Sequence, residues 1–131
     1  MSEPTMKMIL FIAAGGAMGA LGRYFVVSQA GHWLGFTFPY GTLIVNILGS
    51  FILGSLTEIM ALSWSVSQET RAFLVVGLLG AFTTFSAFSL DVVYLFERGE
   101  TASAAVYIAA SVVLAIAAFM LGLRLFRFLL T

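Results

Sequence analysis

Charge is scarce in this chain and cysteine is missing altogether. Of 131 residues, 9% are Asp, Glu, Lys or Arg and 61% are hydrophobic, whereas a soluble domain carries about 25% charged residues. That scarcity excludes a soluble fold, which could not hide so much apolar surface. The six basic and six acidic residues balance, so neither a nucleic-acid patch nor an acidic tail is present. Without cysteine there is no disulfide, thiolate metal site or Cys nucleophile, and the redox compartment stays undetermined. Histidine occurs once, as His32, with no second ligand in view, and reads as a solvated loop residue. No paired carboxylates, His cluster or Ser/His/Asp set falls within the apolar runs, which argues against an enzyme. No low-complexity stretch divides the chain, so residues 1–131 read as one domain.

What is present is apolar length. A helix needs about 20 mostly apolar residues to cross a bilayer, and residues 8–28, 39–62, 71–96 and 101–126 meet that need. Lys7 ahead of the first run raises the idea of a signal peptide. The small residues behind it recur every third or fourth position within a continuing apolar run, as in a retained helix. His32, Trp33, Phe36, Phe38 and Tyr40 lie in and around the first connection and Trp64 in the second, which reads as an interfacial aromatic belt. Four spans place both termini on one face. That face holds Lys7, Arg71, Arg124 and Arg127, and the other holds Arg23 and Arg98, a weak bias under the positive-inside rule. Such a chain can insert both ways, and the assembly this implies is an antiparallel homodimer with its two-fold axis in the membrane plane.

Polar residues inside a span must face protein or water, so their spacing is informative. The first span carries Gly15, Gly19 and Gly22 on one side, which reads as close helix packing. Arg23 stands near its expected end, placed to snorkel or to pair with a carboxylate. The second span sets Thr42, Asn46, Ser50 and Gly54 at four-residue intervals. Its asparagine can bond a neighbouring helix or replace the hydration shell of a small anion, and spacing leaves both readings open. Glu58 reads as interfacial. The fourth span aligns Ser103, Tyr107 and Ser111, hydroxyls that can bond back to their own helix. The third span is the anomaly. It would be about 39 Å long as one helix at about 1.5 Å per residue, so it must tilt or break. At its centre Gly77, Gly80, Thr83, Thr84, Ser86 and Ser89 alternate with Phe82, Phe85 and Phe88, and such hydroxyls can satisfy the backbone that a break frees.

These residues resemble the fluoride channels called Fluc or CrcB. The resemblance covers essentially the whole chain: Gly15-Gly16-x-x-Gly19 to Arg23, Gly41-Thr42-x-x-x-Asn46-x-x-Gly49, and Gly77-x-x-Gly80-x-x-Thr83-Thr84-Phe85-Ser86-x-Phe88-Ser89. The last motif is the specific one. The resemblance implies an all-α membrane protein of four transmembrane helices, broken in the third, paired as a dual-topology antiparallel homodimer in the bacterial inner membrane. It implies passive fluoride export through two pores. By position the pore residues are Asn46, Thr84, Phe85, Ser86, Phe88, Tyr107 and Ser111. It further implies one structural Na⁺ held by the carbonyls of Gly80 and Thr83 from each subunit, and a vestibule or anchoring role for Arg23. Asp91 stands where an acidic residue commonly follows the motif. Ala87 and Ala115 replace expected hydroxyls.

The residue types suit the ion. Fluoride is strongly hydrated, and a buried cation at mid-pore would hold it too tightly. Residues 39–62, 72–96 and 101–123 contain no Lys or Arg, leaving amide, hydroxyl and ring-edge donors for weak multi-site binding. The alternatives are a small multidrug-resistance type exporter and a structural subunit without transport. The exporter needs a buried carboxylate in the first span, which residues 8–28 lack. A structural subunit has no use for a polar break.

Overall fold

The computed structural model of the protein describes residues 5–131. Among these, all regular structure is helical. Helix α1 (Met6–Leu34) begins at Thr5, whose hydroxyl accepts the Met8 N–H at 3.1 Å, a capping bond that satisfies one free amide of the first turn. It ends at Gly35, whose φ of 84° lies where a side chain would be strained. The helix therefore runs well past residue 28. His32 and Trp33 belong to its last turn, not to a loop, with their rings packed edge to face. Nothing between Ser28 and Gly35 interrupts helical backbone, so the chain stays helical beyond the apolar run. Arg23 consequently sits inside α1, away from its end.

Helix α2 (Tyr40–Leu62) follows Pro39, which has no N–H to leave unpaired at a helix start. The next span is not one helix. Ser67 caps α3 (Gln68–Arg71) by accepting the Thr70 N–H at 3.1 Å. The backbone then widens into a π-helical segment (Ala72–Leu79) and tightens again in α4 (Gly80–Phe82). It runs extended through Thr83 (φ −88°, ψ 158°) and Thr84 (φ −155°, ψ 118°), and α5 (Phe85–Glu97) follows. Gly80 itself has helical angles (φ −61°, ψ −36°), so glycine is not where the helix fails. A turn through Gly99 (φ 77°) leads to α6 (Thr101–Leu130). Arg98 ties this turn to the α1–α2 connection by donating to the Thr37 carbonyl at 2.8 Å.

Four units, namely α1, α2, the Gln68–Glu97 stretch and α6, are long and apolar enough to cross a membrane. The most extensive packing joins α2 to α6, where a side chain on Gly54 would strike the Phe119 carbonyl and one on Gly122 the Phe51 carbonyl. Helix α1 lies backbone to backbone against the π-helical segment: a Cβ on Gly77 would stand 2.7 Å from the Ile12 carbonyl, and Gly15 and Gly19 face Phe73 and Leu78 in the same way. Gly22 meets the Phe82 ring at ordinary distance. After the break the third span changes neighbours, because α5 leaves α1 and turns to α6 and α2. Glu58 is buried within the protein. Its carboxylate accepts from Arg127 Nε at 3.1 Å and Nη2 at 3.3 Å, since α6 runs alongside the end of α2.

Candidate functional site

The break is built by its own hydroxyls. Thr83 closes the first half, its N–H at 3.1 Å and its Oγ1 at 2.9 Å both donating to the Leu79 carbonyl. Thr84 opens the second half, its Oγ1 accepting the Ala87 N–H at 3.1 Å. Across from them, Asn46 of α2 clasps Thr84 twice: Oδ1 accepts the Thr84 N–H at 2.8 Å, and Nδ2 donates to the Thr84 carbonyl at 3.1 Å. The pairing fixes which end of the amide is oxygen, and it leaves the second Nδ2 hydrogen uncommitted. Helix bonding, one of the two roles open to Asn46, is therefore real, and a donor remains for the other.

These diversions free particular carbonyls. The amide four residues after Gly80 is that of Thr84, taken by Asn46, and the one four residues after Thr83 is that of Ala87, taken by the Thr84 hydroxyl. Gly80 and Thr83 thus lose their helical partners together. The Ala81 carbonyl is served differently, by Arg23 Nε at 3.0 Å. Arg23 bonds main chain here; among the described residues the ion pairs are Arg98–Glu100 and Arg127–Glu58. A set of neutral oxygens at Gly80 and Thr83 matches what a hard cation such as Na⁺ takes.

A cavity of about 370 Å³ opens beside the break, lined by Asn46, Gly80, Thr83, Thr84, Phe85, Phe88 and Ser111 among others. Phe85 and Phe88 meet edge to face, centroids 5.3 Å apart. Phe85 is 68% exposed, so the cavity is open on that side. Ser111 adds a telling detail: its buried Oγ has no hydrogen-bond partner, although a serine in a helix can ordinarily bond back to its own turn. Two named residues lie off the cavity wall. Tyr107 is fully buried and donates to Asp91 Oδ2 at 2.9 Å, and Ser86 is exposed with its hydroxyl 3.3 Å from Thr84 Oγ1. Arg23 lines a second space of about 360 Å³ with Thr42, Ala87 and Asp91, and Thr84 borders both spaces. The sequence reading did not single out Val75 and Leu79 of the cavity wall, or the Glu58–Arg127 pair. Bare aliphatics carry no motif, and partners 69 positions apart are joined only by helix packing.

A broken third span with an amide clasp and a polar-lined cavity defines a multi-pass membrane protein built around that break. The profile of the family described as CrcB-like protein, Camphor Resistance (CrcB), matches residues 10–123, and the chain belongs to that family. It is 52% identical over 122 residues, 93% of its length and 97% of the relative's, to a protein of Rhodospirillum centenum named fluoride-specific ion channel FluC. Proteins of the same name from Nitrobacter winogradskyi (51% identical, covering 91% of this chain and 94% of that one) and Chelativorans sp. (50%, covering 95% and 100%) are similarly close. With four spans and these relatives, the chain is a multi-pass bacterial membrane protein.

Proposed function

We propose that this protein is a fluoride-selective ion channel through which fluoride leaves the cell passively, lowering cytoplasmic fluoride and its toxicity. The observation that carries the reading is the clasped break opening on a cavity whose donors are uncharged. Asn46 offers its second N–H, Ser111 a hydroxyl without a partner, and Thr84 a hydroxyl at the border of two spaces. Phe85 and Phe88 supply ring edges, the positive rim of the aromatic quadrupole. Such donors replace water around a small anion without trapping it. The relatives' name points to fluoride as that anion.

The open side of the cavity, where Phe85 is exposed, supports closure by a second copy, and the balanced charge count supports an antiparallel one. Two copies then carry two pores. The carbonyls of Gly80 and Thr83 would hold a structural Na⁺ that is not itself transported; when bound it supplies a fixed positive charge to the centre of the dimer. Arg23, anchored through Nε, keeps its remaining N–H groups for an anion entering the second space. A proton-coupled exporter is disfavoured further, because Asp91 is bonded to Tyr107 and Glu58 to Arg127.

Liposomes loaded with fluoride and carrying the purified protein should release it, as read by a fluoride electrode, while chloride stays inside. Equal release of the two halides, or none of fluoride from well-reconstituted protein, overturns the reading.

A further inference from the structure

The half-buried Asp91 and the buried Tyr107 lie outside the cavity, yet they are joined to its wall through an unbroken run of contacts. Asp91 and Phe88 stand one turn apart on α5. Tyr107, on α6, bridges them: its hydroxyl donates to Asp91 Oδ2 at 2.9 Å, and its ring packs on Phe88 with centroids 5.1 Å apart. Phe88 in turn meets Phe85 edge to face at 5.3 Å. On its far side the Tyr107 ring is held edge to face by Phe38 at 5.5 Å. The tyrosine is fully buried among Leu95, Ala104, Leu43 and Val92.

We infer that Asp91 is a positioning residue for the anion path, fixing the Tyr107 ring and through it the ring of Phe88. Two observations make one hydrogen bond matter here. Helix α6 packs chiefly on α2 and meets α5 over a short stretch, so few contacts fix the turn of α5 about its own axis. The Asp91 carboxylate is engaged by the Tyr107 hydroxyl, and among the described residues it forms no ion pair, although Arg23 borders the same space. A phenyl ring can rotate about its last torsion with little change in packing. An anion that touches the ring edge senses that rotation directly, because edge and face carry opposite partial charge. The position of the tyrosine, not the charge of the aspartate, is what the path requires.

This inference rests on the channel reading, and its test separates the two. Fluoride and chloride release from liposomes is compared for the unmodified protein, Asp91→Ala, Asp91→Asn, Tyr107→Phe and the double variant Asp91→Ala/Tyr107→Phe, each first shown to run as a single species on size exclusion. Tyr107→Phe keeps the ring and removes only the donor, so it is the variant least prone to misfold. Asp91→Ala and Tyr107→Phe should each slow fluoride release about 10- to 100-fold, the range that one hydrogen bond to a charged group carries, and narrow the preference for fluoride over chloride. Asp91→Asn, which keeps an acceptor, should recover most of the rate. The double variant should be no slower than either single one. Unchanged selectivity in both single variants, failure of Asp91→Asn to recover rate, or multiplying effects in the double variant each overturn the inference. Absence of fluoride release from the unmodified protein is instead the failure of the channel reading.

Discussion

At the scale of single residues, Asn46 and Ser111 have opposite energetic signatures. Asn46 satisfies both backbone groups of Thr84. Asn46→Ala strands an N–H and a C=O in a low-dielectric interior and should cost about 2–4 kcal/mol in unfolding free energy, visible as a lower melting temperature in detergent, together with slower fluoride release. Ser111 makes no bond. Ser111→Ala should leave the melt unchanged or raise stability by about 1 kcal/mol, and still slow fluoride release. A drop in stability with unaltered flux would show that Ser111 serves packing instead. The Thr-Thr-Phe-Ser run and Asn46 were legible in the sequence because each puts a hydrogen-bonding group where lipid offers none. That Asn46 spends its amide on Thr84 was not, since the rotation of α2 against the break is a matter of three-dimensional packing.

Elements show where the helix pattern could be read and where it could not. Four apolar runs predict four spans, but hydropathy measures bilayer residence, not backbone hydrogen bonding, so α1 continues through Trp33 to Leu34 without a continuous apolar run. The break was expected from excess length, glycine and the run of hydroxyls. The two extended threonines make it, while Gly77 serves the close approach of α1. Gly77→Ala should therefore force α1 off the π-helical segment and destabilise the protein by about 1–3 kcal/mol, as overpacked interiors do, measured by thermal unfolding. At the other crossing, Arg127→Leu leaves the buried Glu58 carboxylate without its partner. It should lower the melting temperature more than Arg127→Leu/Glu58→Gln, in which no uncompensated charge remains.

For the whole molecule, the distribution of charge makes a statement about insertion. The chain has no native cysteine, so Thr131→Cys introduces a unique reporter at the described C-terminus. If the weak charge bias lets the chain insert in both orientations, a membrane-impermeant thiol reagent added to intact cells should label about half of the molecules. Complete labelling or none would exclude an antiparallel pair. The same experiment after moving a lysine onto one face should shift the fraction. The whole-molecule picture was the least legible in the sequence, because a single chain's surface does not distinguish lipid from a second copy.

The change of neighbours at Thr83–Thr84 gives the third span a mechanical character. On one side of the joint the π-helical segment and α4 pack against α1, and on the other α5 packs against α6, with the extended Thr83 and Thr84 between them. The joint is a seam between two differently packed halves, and Asn46 stitches it to α2. The two halves of one span thus answer to different neighbours, and the amide of Asn46 is a direct link from the joint to α2.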